Sequence, residues 1–363
     1  MVFYFLQLFI FTLYSVFFAL FNNKKWYFGV TWLHLSCVMG LRSYLVGTDT
    51  KMYVRGYLYD SNTKQNSAIL YEFLNKVIRY IAGDNYHIFL FTLSAISIGT
   101  FLFVVFKWSN DFLSMFTSIY IYITFYYYFN SFNMQRQMLA VTISMMATYF
   151  WVLNNRKKSI ICFLFAIGIH NTAILSLINI IVNKFKAKYS NIYKTLIVCL
   201  LLVPISGKFI NLFSELFPHY EMYNNEFSNV EYGTNGGTAI LGLLLLLFII
   251  VTPLVNTDFL DDHVNVVLMY LTCIGSYMYI LGFGSQLIIR LADYFTIYCT
   301  IFLPKSIETI SLKFKEQKLV QYFLLFMILG IGLILMYYKL SKNMGEIIPY
   351  QAHRRARPLR CAR

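Results

Sequence analysis

Three arginines stand where charge is costly. Arg42, Arg136 and Arg290 lie within or at the rim of long apolar stretches, whereas the polar breaks between those stretches take their basic residues mainly from lysine. A guanidinium is a planar fork that grips two phosphate oxygens at once, which an ammonium cannot do. Arginine at membrane depth, in a chain that defaults to lysine, points to a diphosphate ligand. The competing account of each is a side chain that snorkels to the interface or bonds a carbonyl. In "FNMQRQMLA", residues 132–140, Asn133 and Gln137 share a helix face with Ser144, and Arg136 stands beside them. Gln286, Arg290 and Asp293 fall at i, i+4 and i+7, one stripe of one helix. Asp293 is either the structural partner of Arg290 or the group that orients it toward a ligand.

Two groups suit proton transfer. Asp49 in "GLRSYLVGTDTKMY" follows Arg42 by about two helical turns and reads as a general base or as a turn former after Gly47. His170 in "GIHNTAILSL" sits mid-stretch, and an ordinary imidazole titrates near pH 6.5, which suits a base or proton carrier as well as a packed core residue. Tyr122, Tyr126, Tyr127 and Tyr128 read first as an interfacial aromatic belt and second as platforms for sugar rings.

The elements that must position these residues are membrane helices. The chain has 363 residues, 58% hydrophobic and 13% charged, with apolar blocks of the length one span needs, roughly 20 residues. The expected fold is an all-α polytopic integral membrane helix bundle of ten or eleven spans, one domain over residues 1–350. Spans are expected at 2–21, 26–46, 86–106, 111–130, 132–153, 159–182, 195–213, 237–256, 264–284, 286–303 and 319–338. The first lacks a basic flank and a small-residue cleavage site, so it reads as a retained helix. Lys24, Lys25, Lys107, Arg156, Lys157 and Lys158 occupy alternate loops and mark the cytoplasmic side, leaving residues 47–85 and 213–236 as external loops. Lys184, Lys186 and Lys188 break that alternation unless 159–182 is a re-entrant hairpin hinged near Gly168 to Asn171. Leu70, Phe73, Leu74, Val77, Ile78 and Ile81 recur at helical spacing and predict an amphipathic helix in the outer interface.

Several function classes lose support. Five of the eleven arginines fall in the last ten residues; without them the net charge drops from +14 to +9, ordinary for basic cytoplasmic loops rather than nucleic-acid binding. The basic tail, 351–363, reads as a non-native addition. The six cysteines form no CxxC pair, and no phosphate-binding loop, HExxH or DxD motif is present, so no cofactor and no metal are expected.

"LRSYLVGTDTKMY", "FNSFNMQRQMLAVTI", "AIGIHNTAILSL", "GSQLIIRLADYF" and "IIPY", in this order, resemble the EpsG-like branch of Wzy polysaccharide polymerases. The resemblance spans roughly residues 1–350, with Asn-x-x-Arg-Gln its most specific element. A Glu-Pro expected at the start of the external amphipathic helix is missing, and Glu72 lies further along. The resemblance implies a glycosyltransferase that joins undecaprenyl-diphosphate-linked repeat units at the outer face of the bacterial cytoplasmic membrane. A lipid-linked oligosaccharide and the bilayer are its implied partners, with a chain-length regulator as a further candidate. Arg136, Arg290 and Arg42 would then bind the leaving diphosphate, Gln137, Asn133 and Asp293 would contribute to substrate binding, and Asp49 or His170 would be the base. A flippase for the same lipid and a membrane acyltransferase or O-antigen ligase are the rival readings.

Overall fold

The computed structural model describes residues 1–59, 69–184, 236–282 and 286–352, with the isolated positions 194 and 197. Its helices are α1 (Val2–Leu20), α2 (Lys24–Gly40), α3 (Thr50–Tyr59), α4 (Ile69–Ala82), α5 (Tyr86–Trp108), α6 (Phe112–Thr124), α7 (Tyr127–Asn133), α8 (Gln135–Val152) and α9 (Arg156–Ile169). A 3-10 segment, Asn171–Leu177, runs into α10 (Ile178–Val182); then follow α11 (Gly236–Val255), α12 (His263–Leu281), α13 (Gln286–Thr296), α14 (Cys299–Ser311) and α15 (Gln317–Ser341). Among the described residues there is no strand, as a membrane interior requires of a chain that does not close a barrel. The fold class is the expected one, a polytopic membrane helix bundle.

Helices start where the sequence supplies caps. The side chains of Asn23, Asn85, Asp111 and Asn155 accept hydrogen bonds from first-turn amides of α2, α5, α6 and α9, satisfying donors that have no intrahelical acceptor. Five helices, α1, α5, α11, α12 and α15, are long and apolar enough to cross a membrane, and the pair α13–α14, bent by 50°, makes a sixth if it counts as one span.

Other expected spans are shorter or broken. The 26–46 span ends at Gly40. The 111–130 span stops at Thr124 and restarts after Tyr126, whose φ of 83° cannot continue a helix. The 159–182 block breaks at His170, in extended backbone. The 195–213 span and the 213–236 loop lie outside the described residues, as does the tail from 353.

Contacts sort the helix ends into two sets. At one end the Lys24 ammonium donates to the Asn110 carbonyl and Lys313 pairs with Asp258 at 3.3 Å. The basic residues Arg156, Lys157 and Lys158 are at this end too, since Trp108 packs on Tyr149 near the close of α8. The broken 159–182 block returns to this end. Ser159 donates to the Ala147 carbonyl at 2.8 Å, and Asn179 donates to the adjacent Thr148 hydroxyl at 2.9 Å, so the chain goes in ten residues and comes back about as many. Asn183 then meets His263, which sets Lys184 beside the other basic loops, as the re-entrant hairpin requires.

The four tyrosines do not form a belt. Tyr122, Tyr126, Tyr127 and Tyr128 are all buried. Their hydroxyls bond Ser131, the Met344 carbonyl, the Cys299 thiol and the Leu35 carbonyl, respectively. A buried phenol needs such a partner.

Candidate active site

The site lies at the end opposite Lys24, Arg156 and Lys313, where α8 opens. Arg42 sits just beyond α2 and is fully buried. Its guanidinium donates to the Met39 carbonyl, to the Phe132 carbonyl at 3.0 Å and to the Thr50 hydroxyl at 3.4 Å, with the Phe132 ring 5.0 Å away. The carbonyl-bonded arrangement is thus the one found for this arginine. It splints the loop 41–49 to the end of α7.

Asn133 closes α7 and is gripped from two sides. Its side-chain oxygen accepts from the Thr48 amide at 2.7 Å and the Thr48 hydroxyl at 3.3 Å. Gly47 (φ 100°) and Gly345 (φ 79°) both press against it, and a Cβ on Gly345 would overlap the Asn133 amide. The segment 343–352 forms a strap over this loop. The Gly47 and Thr48 amides donate to the carbonyls of Glu346 and Gly345, and the Ser43 amide donates to Gln351. The Tyr4 hydroxyl holds the Ile347 carbonyl, Tyr350 holds Val38, and the Tyr350 ring stacks on Phe3 at 4.0 Å.

The latch presents Asp49, the next residue, which is half-buried at the start of α3. Burial raises its carboxyl above the ordinary carboxylate range, against the opposing pull of Arg290 and a hydrogen bond from Thr48. One turn on, the Tyr53 phenol is raised by burial and by Asp49, while Arg136 and Arg290 pull it down. Asp49, Arg136 and Arg290 therefore all lie within electrostatic reach of one phenol. Arg136, the second residue of α8, lies 5.2 Å over the ring of Tyr71 on α4. No side chain caps α8, so the partial positive charge of its first turn adds to that of Arg136. Gln137 donates to the Arg290 carbonyl at 2.5 Å and ties α8 to α13.

His170 stands at the tip of the hairpin. Its Nδ1 meets the Thr172 hydroxyl at 2.6 Å, and Thr172 meets the Tyr294 hydroxyl at 3.1 Å, one turn after Arg290 on α13. Asp293 lies deeper, 1% exposed, and accepts from Tyr279 at 3.1 Å and Asn130 at 3.3 Å, which anchors α13 to α12 and α7. The Gln286 side chain lies outside the described residues.

The structure thus brings Asp49, Arg136 and Arg290 together, joins His170 to the same face of α13, and places Arg42, Asn133 and Asp293 behind them. Sequence reading missed Tyr53 and Tyr71. Tyr53 was signalled by its i+4 spacing from Asp49, and Tyr71 by its place beside Leu70 on the predicted amphipathic helix.

A family model described as the EpsG family matches residues 25–352. This chain belongs to the EpsG family. That family comprises Wzy-like polysaccharide polymerases, so the resemblance read from the motifs holds at the level of family. No curated protein and no solved structure matches the chain. The EpsG match takes in every residue of the cluster and ends at Ala352, the position that bridges to Arg42.

Proposed function

We propose that this EpsG-family protein polymerises polyisoprenyl-diphosphate-linked oligosaccharide repeats at the outer face of a bacterial cytoplasmic membrane. The observation that carries the reading is that α8 opens with Arg136 over Tyr71 and Tyr71 against Tyr53, with Gln137 tied to the Arg290 backbone and Asp49 and Arg290 within electrostatic reach. The lysine-rich end fits the cytoplasmic side, which leaves this cluster facing outward.

In the reaction, a sugar hydroxyl of one repeat attacks the anomeric carbon of the lipid-linked glycan. The bond from that carbon to the diphosphate oxygen breaks, the lipid diphosphate leaves with the electron pair, and the configuration inverts. Charge grows on the leaving diphosphate. Arg136, Arg290 and the first-turn amides of α8 suit that charge, because fixed donors out of bulk water stabilise it without reorganising. Asp49 accepts the hydroxyl proton in this scheme; burial raises its affinity for protons, which strengthens it as a base, and Arg290 works in the opposite direction by favouring the ionised form. His170, bonded to Thr172, supports the hairpin wall beside Tyr294.

Purified protein supplied with a lipid-linked repeat should yield glycans of several repeats on one lipid. Asp49→Asn should abolish the longer products while the protein still inserts. His170→Ala should retain them. Transbilayer movement of the lipid with no lengthening would overturn the polymerase reading in favour of a flippase. Activity that is lost in His170→Ala and kept in Asp49→Asn would move the base to the histidine.

A further inference from the structure

Helix α4 meets the cluster through Tyr71, which is 6% exposed. The Tyr71 ring lies under Arg136 at 5.2 Å, and Tyr53 approaches it edge-on at 6.5 Å and 65°. Leu70, its neighbour, rests against Gly168 at the hairpin tip, so α4 is seated by a contact separate from the stack. Arginine carries rotamer entropy that a bidentate grip must freeze. A ring under the guanidinium removes part of that freedom in advance and leaves the in-plane N–H bonds clear of the aromatic face. The phenol hydroxyl is not needed for this; the face of the ring is.

We propose that Tyr71 is a positioning residue for Arg136, its ring holding the guanidinium in the orientation that grips a lipid-linked diphosphate. The proposal rests on the polymerase reading above and adds to it the part of α4. It makes one face of the amphipathic helix a wall of the donor site, while Phe73, Val77 and Ile81 on the other remain exposed to the membrane interface.

The test is binding of undecaprenyl diphosphate to the purified full chain in detergent, followed by titration calorimetry. Tyr71→Leu should weaken binding about three- to thirtyfold, the range of a partly desolvated cation–π contact. Tyr71→Phe, which keeps the ring, should stay within about twofold of wild type on the same grounds. In an Arg136→Ala background Tyr71→Leu should change nothing further, since coupled residues are not additive. Where Tyr71→Leu does not fold, Tyr71→Met is read in its place with the same expectation. Wild-type affinity in Tyr71→Leu, a Tyr71→Phe loss as large as that of leucine, or additive losses with Arg136→Ala would each overturn the proposal and leave the polymerase reading standing. A wild-type protein that binds no undecaprenyl diphosphate would instead overturn both.

Discussion

Replacing Gly345 by alanine tests whether the strap sets the site. The backbone there has φ 79°, and the new Cβ would overlap the Asn133 amide. A non-glycine residue held in such a conformation costs about 1–3 kcal/mol. If Asn133 swings aside to relieve the overlap, its 2.7 Å bond to the Thr48 amide is lost, for about 1 kcal/mol more. Together these make about 2–4 kcal/mol against the assembled loop that presents Asp49, and at about 1.4 kcal/mol per tenfold the equilibrium constant for the loop with the base in place falls at least about thirtyfold. The assay is polymer length and yield in cells that lack any other copy of this polymerase, with the amount of inserted protein measured in the same membranes. Gly330→Ala is the control, because a Cβ there meets nothing within 4 Å. Full-length polymer from Gly345→Ala at normal protein levels would refute the reasoning, since the latch would then be irrelevant to the chemistry.

Three further outcomes are expected. Arg136→Lys should be nearly as damaging to polymer yield as Arg136→Ala, because a point charge cannot replace the fork; full-length polymer from the lysine variant would remove that argument. The acid limb of the rate profile should lie above the ordinary carboxylate range, since Asp49 works as a base only when ionised and burial raises its pKa. Arg290 lowers that pKa, so Arg290→Gln should move the limb to still higher pH in whatever activity remains, and a limb that stays put or moves down would dissociate Asp49 from the reaction. Arg42→Met should lower the melting temperature in detergent, because the lost charge-assisted bonds to Phe132 and Met39 are worth at least about 2 kcal/mol; unchanged melting with weakened lipid-diphosphate binding would mean that Arg42 reaches the ligand.

What the sequence disclosed was local. The apolar blocks announced the bundle, helical spacing from Leu70 to Ile81 announced α4, and the lysines from residue 184 on called for a hairpin hinged near Gly168 to Asn171, where the break falls at His170. These readings need only a few turns of chain. What stayed hidden depends on partners far apart in sequence. Tyr128 looks interfacial until the Leu35 carbonyl is found beside it. Arg42 looks like a ligand-binding group until the Phe132 carbonyl, ninety residues on, claims it. Asn133 looks like a substrate contact until Gly345 closes over it. The break at Tyr126 was equally invisible, because an apolar run reads the same whether or not its backbone is continuous.

The strap also bears on timing. Gly345 is translated about two hundred positions after the asparagine it covers. A nascent chain can insert its helices one after another, yet the carboxylate loop, though already tied to Phe132 and Asn133, lacks the carbonyls of Gly345, Glu346 and Gln351 until the ribosome has passed this segment. On the polymerase reading proposed above, a chain cut short of this segment carries Asp49 on a loop without its strap and makes no polymer.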